Sequence, residues 1–235
     1  IDQRRFEVMH DEIPNSKDVP SFNDTEFNKL VAECAPDTII VAGRDSTHVD
    51  YILAALAKEL GVITEKPMVT TAVDCKRVLE AEKHSKGKVT VTFNARYPAV
   101  QRRIKELILD DKVGRITSVE LNWYIDTYHG ASYFKRWNRM RAFSGGLSIH
   151  KSTHHLDMVQ WLIDQYPEEA FCHGARNYYG DESPLNPSKK VGRHCSSCTE
   201  KTDCAYYSRW STRSSEAAPK DDHLRTVQSD TNTGN

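Results

Sequence analysis

The chain has 235 residues, of which 38% are hydrophobic and 28% are charged, a composition that fits a globular protein with a core. Its 32 basic and 33 acidic residues give a net charge of −1, which provides no electrostatic reason to expect nucleic acid or an anionic membrane as a partner. All its apolar runs are shorter than the roughly 18 residues of a membrane helix, and the cysteines suggest no disulfide framework, so we expect a cytoplasmic location.

Helical and strand patterns alternate along the first half of the chain. Amphipathic spacing predicts helices over residues 2–13, 25–34, 47–60, 71–86 and 99–112, with Asn23 or Asp24 as the cap of the second helix. Short β-branched runs predict strands at residues 37–42 and 62–64, and the first of these is expected to be covered on both faces. Alternating residues predict a third strand at 88–94. The strand–helix–strand order indicates parallel crossovers, and therefore an α/β fold with a doubly wound sheet.

The pattern changes near residue 115. Alternating apolar and polar residues predict a long strand over 115–127, followed by a helix over 150–163 and a further strand over 168–176. We therefore predict two domains, with residues 1–114 forming the doubly wound part. Residues 115–235 would form part of an α+β domain with a mainly antiparallel sheet and a polar, weakly structured tail.

Three segments follow predicted strands at their carboxyl ends, namely residues 43–48, 65–68 and 94–97. Ligands of parallel sheets bind beyond these ends, so we expect the three segments to face one crevice. Lys66, on a turn that Pro67 terminates, could hydrogen-bond a substrate hydroxyl and stabilise alkoxide character. From this tripeptide alone, a surface lysine in a turn is the alternative interpretation.

Several motifs occur in a shared order along the chain. The first group comprises Asp45 and His48 in a turn after a strand, Glu65-Lys66-Pro67, and Thr92-Phe93-Asn94-Ala95-Arg96. The second group comprises Trp137, Gly145-Gly146-Leu147 and His154-His155-Leu156-Asp157. In order and spacing, over about residues 1 to 180, these motifs resemble the glucose–fructose oxidoreductase/inositol dehydrogenase/MocA family.

The resemblance implies hydride transfer between a sugar or cyclitol-like hydroxyl and NAD or NADP, and a homo-oligomer. Lys66 would orient and acidify the hydroxyl, and His154 would accept its proton. The implied cofactor-binding residues are Asp45, Ser46, His48, Glu65, Lys66 and Asn94. The implied substrate-binding residues are Arg96, Trp137, Lys151 and His155.

One position departs from the family pattern, because His150 stands where the family usually has an aspartate. With both residues on one predicted helix, His150 and His154 would share a face. Either His150 shares the acid–base work as a third catalytic residue, or the substrate differs from a simple polyol, or the chemistry is altered. Lys151 could donate to an anionic substrate group, or could form a solvated helix face with His155.

Two alternative functions follow from the same residues. An NAD-dependent glycosidase would oxidise the sugar transiently, eliminate a substituent and reduce the sugar again. A non-catalytic sugar- or nucleotide-sensing regulator on the same fold is the second alternative, and retention of Lys66 and His154 argues against it.

Two groups of residues have the spacing of metal ligands. His150, His154 and Asp157 could bind a metal from one helix, although the family resemblance accounts for His154 and Asp157 without one. Structural zinc is the other candidate, with His194, Cys172 or His173 completing a ligand set of Cys195, Cys198 and Cys204, and reduced thiols in a surface loop are the alternative. The scattered cysteines are expected to be buried or half-buried, namely Cys34, Cys75 and Cys172.

The G-x-G-x-x-G turn that normally opens a Rossmann domain does not occur in this sequence. The second domain also has too few predicted strands for a stable sheet. We therefore expect a partial Rossmann-like domain and a chain truncated at both ends, which alone would bind cofactor poorly. The sequence leaves open the identity of the sugar, the choice between NAD and NADP, and the oligomeric state.

Overall fold

A computed structural model of the chain describes residues 3–126, 129–130, 133–134, 136–179 and 199. The chain divides into two compact units, one formed by Ile1–Glu33, Thr127–Arg136 and Phe171–Asn235, and the other by Cys34–Asp126 and Trp137–Ala170. The predicted domains, 1–114 and 115–235, stay a prediction, because the two units are defined by contacts rather than by chain order. Within the described ranges, every helix is too short or too polar to cross a bilayer, and the cytoplasmic location stays a prediction.

The first unit contains helix α1 (Gln3–Glu12) and nearly all of helix α2 (Phe27–Cys34). A single 3-10 turn, Asp24–Glu26, leads into α2. The backbone N–H of Asn23 donates to Oε2 of Glu26 at 2.8 Å, so a side chain in the first turn binds a group that precedes the helix. Asn23, one of the two predicted cap residues, thus occupies the N-cap position of this turn.

The second unit is built around a three-stranded parallel sheet in the order β1–β2–β3. Its strands are β1 (Thr38–Val41), β2 (Gly61–Thr64) and β3 (Val89–Val91). Its helices in this part of the chain are α3 (His48–Leu56), α4 (Ala72–Lys83) and α5 (Ala99–Leu109). Strand–helix–strand alternation and parallel pairing confirm the predicted Rossmann-like α/β fold.

One face of the sheet is buried and the other is exposed. Val41, Val62 and Thr64 alternate along β1 and β2 on the face that α3 covers, and each is at most 4% exposed. The opposite face carries Ile40 and Ile63, which are 74% and 37% exposed. The expectation that the first strand is covered on both faces is therefore wrong, because α3 packs against one face and no segment among the described residues buries Ile40.

The two strands predicted after residue 115 are absent from the described residues. Residues 115–126 and 168–176 lie in no strand, and the sheet pairs within the described ranges are all parallel, so the predicted antiparallel sheet is not found there. Val119, Leu121 and Trp123 are 43%, 40% and 42% exposed, so the alternating pattern buries no face. Alternation supplies an apolar face, but a strand also needs a partner for its N–H and C=O groups.

Three short helices follow in the second unit: α6 (Arg141–Ser144), α7 (Leu147–His150) and α8 (Thr153–Ile163). Gly145 and Gly146 join α6 to α7 with φ angles of +73° and +90°, which glycine adopts without strain. A Cβ on Gly145 would also lie 2.9 Å from the side chain of Ile149. The predicted helix 150–163 is thus wrong at its start, because α7 ends at His150 and α8 begins at Thr153.

Candidate active site

The carboxyl ends of the three strands lie side by side at one edge of the sheet. The backbone N–H of Glu65 donates to the carbonyl oxygen of Val41 at 2.8 Å, and that of Thr92 donates to the carbonyl oxygen of Thr64 at 2.9 Å. These bonds continue the parallel ladder past the ends of β1 and β2. As predicted, the segments that follow the strands therefore meet at one edge, which α7 and α8 contact through the side chains described below.

Asp45 and His150 form a buried pair at this edge. Nδ1 of His150 lies 2.5 Å from Oδ2 of Asp45, and the two side chains are 13% and 4% exposed. A carboxylate can only accept a hydrogen bond, so Nδ1 of His150 donates. The ring of Trp137 packs edge-on against His150, with 5.6 Å between ring centroids. Trp137, a predicted substrate-binding residue, therefore contacts His150, the residue that departs from the family pattern.

Lys66 follows the end of β2 and contacts His150. Its Nζ donates to the backbone carbonyl oxygen of His150 at 2.9 Å. Burial lowers the pKa of Lys66, and the charge of Lys151 lowers it further, while Asp45 and Glu65 oppose the shift. The side chain is half-buried. An ammonium group can donate three hydrogen bonds, so this contact leaves two N–H groups for other acceptors.

His154 lies in the first turn of α8 and is 7% exposed. Burial lowers its pKa from 6.5 to about 4, and the charges of Lys66 and Lys151 contribute to the shift. Its Nδ1 is buried without a hydrogen-bond partner in the described part of the chain. The imidazole is therefore neutral at pH 7 and retains the capacity to accept a proton. Lys66 and His154, which the family resemblance predicts as partners, lie in one compact unit, and the charge of Lys66 lowers the pKa of His154.

Lys151 and His155 are half-buried rather than fully solvated. Nζ of Lys151 lies 5.8 Å from the ring centroid of Trp123, and the same ring packs edge-on against His155 at 4.4 Å. Burial lowers the pKa of both groups, and Lys151 lowers that of His155 further. Sequence reasoning did not single out Trp123, because its only signal was the alternation of residues 115–127.

The predicted cofactor-binding residues fall into two classes. Asp45 and His48 are 3% and 0% exposed. Nδ1 and Nε2 of His48 lie 2.9 and 3.2 Å from the carbonyl oxygens of Pro67 and Gly43. An imidazole with one N–H donates to only one of these oxygens, so the ring lies between the segments that follow β1 and β2 and hydrogen-bonds one of them. Ser46 is half-buried, whereas the side chains that are open to solvent are those of Glu65 and Asn94.

Arg96 binds Asp157 of α8. Its Nε donates to Oδ2 of Asp157 at 2.8 Å, and its NH2 group binds the other oxygen, which makes the pair bidentate. The Asp157 side chain is 8% exposed and the Arg96 side chain 36%. The pair ties the end of β3 to α8, and the predicted contact between Arg96 and substrate stays a prediction.

No group of three or more metal-ligating side chains occurs among the described residues. Of the helical metal candidates, His150 is bound to Asp45, and Asp157 is bound to Arg96. The zinc prediction for Cys195, Cys198 and Cys204 lies outside the described residues. Two of the three scattered cysteines are exposed rather than buried, namely Cys34 and Cys172, because both lie in segments whose neighbours are exposed; only Cys75 is half-buried.

The comparisons with known proteins agree with this arrangement. A family model described as the NAD-binding Rossmann fold of the GFO/IDH/MocA oxidoreductase family matches residues 2–93. A second model of the same family, its C-terminal alpha/beta domain, matches residues 105–207. A Bacillus subtilis (strain 168) protein named "Putative oxidoreductase YteT" is 59% identical over 224 residues, which are 95% of this chain and 52% of that protein.

Two further matches are more distant. Inositol 2-dehydrogenase of Acidothermus cellulolyticus is 27% identical over 165 residues, which are 70% of this chain and 44% of that protein. The structure of aldose-aldose oxidoreductase from Caulobacter crescentus, complexed with glycerol, shares the fold, with 22% identity and a TM-score of 0.52 over 61% of this chain and 42% of that chain. The chain spans about half the length of the curated relatives it matches. With one model of the family matching each half of the sequence, the chain belongs to the GFO/IDH/MocA oxidoreductase family.

Proposed function

We propose that the full-length protein transfers a hydride between a hydroxyl of a sugar or cyclitol and NAD(H). The observation that carries the proposal is the approach of Lys66 to α7 and α8, where its ammonium binds the carbonyl oxygen of His150 and lowers the pKa of the buried, neutral His154. The name of the 27% identical relative, inositol 2-dehydrogenase, supports a polyhydroxylated substrate.

The edge of the sheet offers contacts to an extended ligand such as a dinucleotide. Exposed groups follow each strand in turn, namely residues 42–44 after β1, Glu65 after β2 and Asn94 after β3. Because these segments lie side by side, an extended ligand could contact all three. Contacts after β1 would come from the backbone of residues 42–44, since Asp45 and His48 are buried and bound within the protein. The nicotinamide ring would supply the hydride acceptor at this edge.

Lys66 and His154 would divide the work on the substrate hydroxyl. The two N–H groups of Lys66 that do not bind His150 can hold the hydroxyl oxygen, and the positive charge stabilises the negative charge that develops there. His154, neutral at pH 7, accepts the hydroxyl proton on an imidazole nitrogen as the hydride leaves the carbon. Burial of both groups strengthens these electrostatic interactions.

His150 is better suited to positioning than to proton transfer. Its side chain is bound to Asp45, and its backbone carbonyl holds Lys66. Asp45 in turn opposes the loss of the proton from Lys66. The Asp45–His150 pair thus takes the place of the aspartate that the family usually has at this position. None of the relatives reported above is named a glycosidase or a regulator, and neither alternative has a supporting observation. NADP, zinc and the oligomeric state stay predictions.

The test uses the full-length protein and measures NADH formation with a panel of polyols and sugars. Lys66→Met and His154→Asn should each lower kcat by at least about 100-fold, because each removes a group that handles the transferred proton or the developing charge. Lys58→Met, at an exposed position of the same unit, is the matched control and should keep wild-type activity. Wild-type turnover by Lys66→Met would refute the proposal, and release of an aglycone without net NADH would favour the glycosidase.

A further inference from the structure

Two ammonium groups, those of Lys66 and Lys151, lie near His154 in a partly buried region of the second unit. Lys66 binds the backbone carbonyl of His150 at 2.9 Å, and Lys151 is the next residue in the chain. Both lysines are half-buried, and each lowers the pKa of His154. Like charges that meet in a region of reduced solvent exposure repel each other more strongly than they would in water.

The nearby carboxylates offset part of the charge of Lys66, but none of those described below pairs with Lys151. Asp45 is bound to His150, and Asp157 is bound in a bidentate pair to Arg96. Glu65 is exposed, and its Oε2 accepts from its neighbour's backbone N–H at 3.2 Å. Each of these three acids is thus bound to another side chain or exposed to solvent.

Lys151 itself contacts an aromatic ring rather than an acid. Within the described ranges, its ammonium has no carboxylate partner and lies 5.8 Å from the ring centroid of Trp123. Burial, the one cause of its lowered pKa, is not opposed by a neighbouring negative charge. Fully buried ammonium groups are almost always paired, and burying one without a partner is costly. Lys151 is half-buried beside a proposed catalytic histidine without a carboxylate partner in the described ranges, which leaves its charge available to an anionic ligand.

We propose that Lys151 binds an anionic group of the substrate, a carboxylate or a phosphate, so that the enzyme acts on an acidic sugar derivative rather than on a neutral polyol. This inference rests on the proposed function, since it places the substrate beside Lys66 and His154. The ring of Trp123 limits where the ammonium can lie, and the anion would occupy the space between Lys151 and the hydroxyl held by Lys66.

Binding of such an anion would also improve His154 as a base. The positive charges of Lys66 and Lys151 both lower its pKa, after burial, to about 4. A general base works best when its pKa lies near the working pH. A negative group beside the two lysines would offset part of their effect and raise the pKa of His154, so a charged substrate would be distinguished from a neutral one in proton transfer as well as in binding.

The test compares binding of matched ligands to the full-length protein in the presence of NADH, by isothermal titration calorimetry. The ligands are D-glucose with D-glucuronate and D-glucose 6-phosphate, and D-galactose with D-galacturonate and D-galactose 6-phosphate. At least one acidic ligand should bind more tightly than its neutral partner. Lys151→Met should reduce that preference about 10- to 100-fold, the range for a hydrogen bond to a charged group, and Lys151→Arg should retain most of it. Preference for uronate or for sugar phosphate identifies the anion.

Two outcomes overturn the inference. One is equal or weaker binding of every acidic ligand relative to its neutral partner, and the other is a preference that Lys151→Met leaves intact. Lys58→Met, which removes an exposed lysine, controls for a general loss of positive charge. Hydride transfer is measured separately, so acidic ligands that bind through Lys151 without NADH formation would contradict the proposed function and leave the anion site in place.

Discussion

Replacing His154 with glutamine should change how the stability of the protein depends on pH. His154 is 7% exposed, and burial, with the charges of Lys66 and Lys151, lowers its pKa from 6.5 to about 4. Between these two pKa values the unfolded chain binds the proton more readily than the folded protein does, so acidification favours unfolding and the loss is recovered as the pH rises above 6.5. The difference amounts to about 2 kcal/mol of unfolding free energy at pH 5 relative to pH 7.

Urea unfolding of the full-length protein at pH 7 and pH 5 measures this contribution. The wild type should lose about 2 kcal/mol more than His154→Gln between the two pH values, because the other titrating groups are common to both proteins. His173→Gln removes an exposed imidazole and should behave as the wild type does. The same loss in all three proteins would refute the buried, positively charged environment assigned to His154.

Two further predictions concern residues that hold the site together. Arg96→Met leaves the Asp157 carboxylate buried without its partner, and we expect the free energy of unfolding to fall by about 2 kcal/mol, less than for a fully buried pair because the Arg96 side chain is 36% exposed. Adding Asp157→Asn should restore part of the loss in urea unfolding, and equal instability of the single and double variants would contradict the pairing. His48→Leu removes the imidazole N–H that donates to the carbonyl of Pro67 or Gly43, which leaves that carbonyl buried without its donor, and should cost about 2 kcal/mol, seen as a lower melting temperature. Unchanged melting would show that this hydrogen bond contributes nothing.

Local periodicity predicted the strands and helices between residues 38 and 109 well. Ile52, Ala55 and Leu56 recur at helical spacing, and all three are at most 2% exposed in the structure. The exposure of Ile40 could not be predicted in the same way, because its run is apolar throughout and the sequence does not say which face a helix covers. The strand predicted from the alternation around Trp123 was wrong for a related reason, since a strand forms only where another segment pairs with it.

The candidate site was predicted in its members but not in its connections. The family resemblance predicted that Lys66 and His154 act on the same hydroxyl. The order of strands and helices predicted that the segments after the strands lie at one edge of the sheet. The pair between Asp45 and His150 joins residues 105 positions apart, and no local pattern specifies such a contact. The prediction that His150 and His154 share a helix face was wrong, because two residues separate the end of α7 from the start of α8.

The acceptor for the Lys66 ammonium belongs to the main chain, not to a side chain. Any amino acid at position 150 presents the same carbonyl oxygen, so the hydrogen bond that holds Lys66 does not depend on which residue stands there. Substitutions there can alter the contacts with Asp45 and Trp137 while the amine keeps its place. Single substitutions at position 150 can therefore change the side chains around Lys66 during evolution, while the hydrogen bond from Lys66 to the main chain is kept at every step.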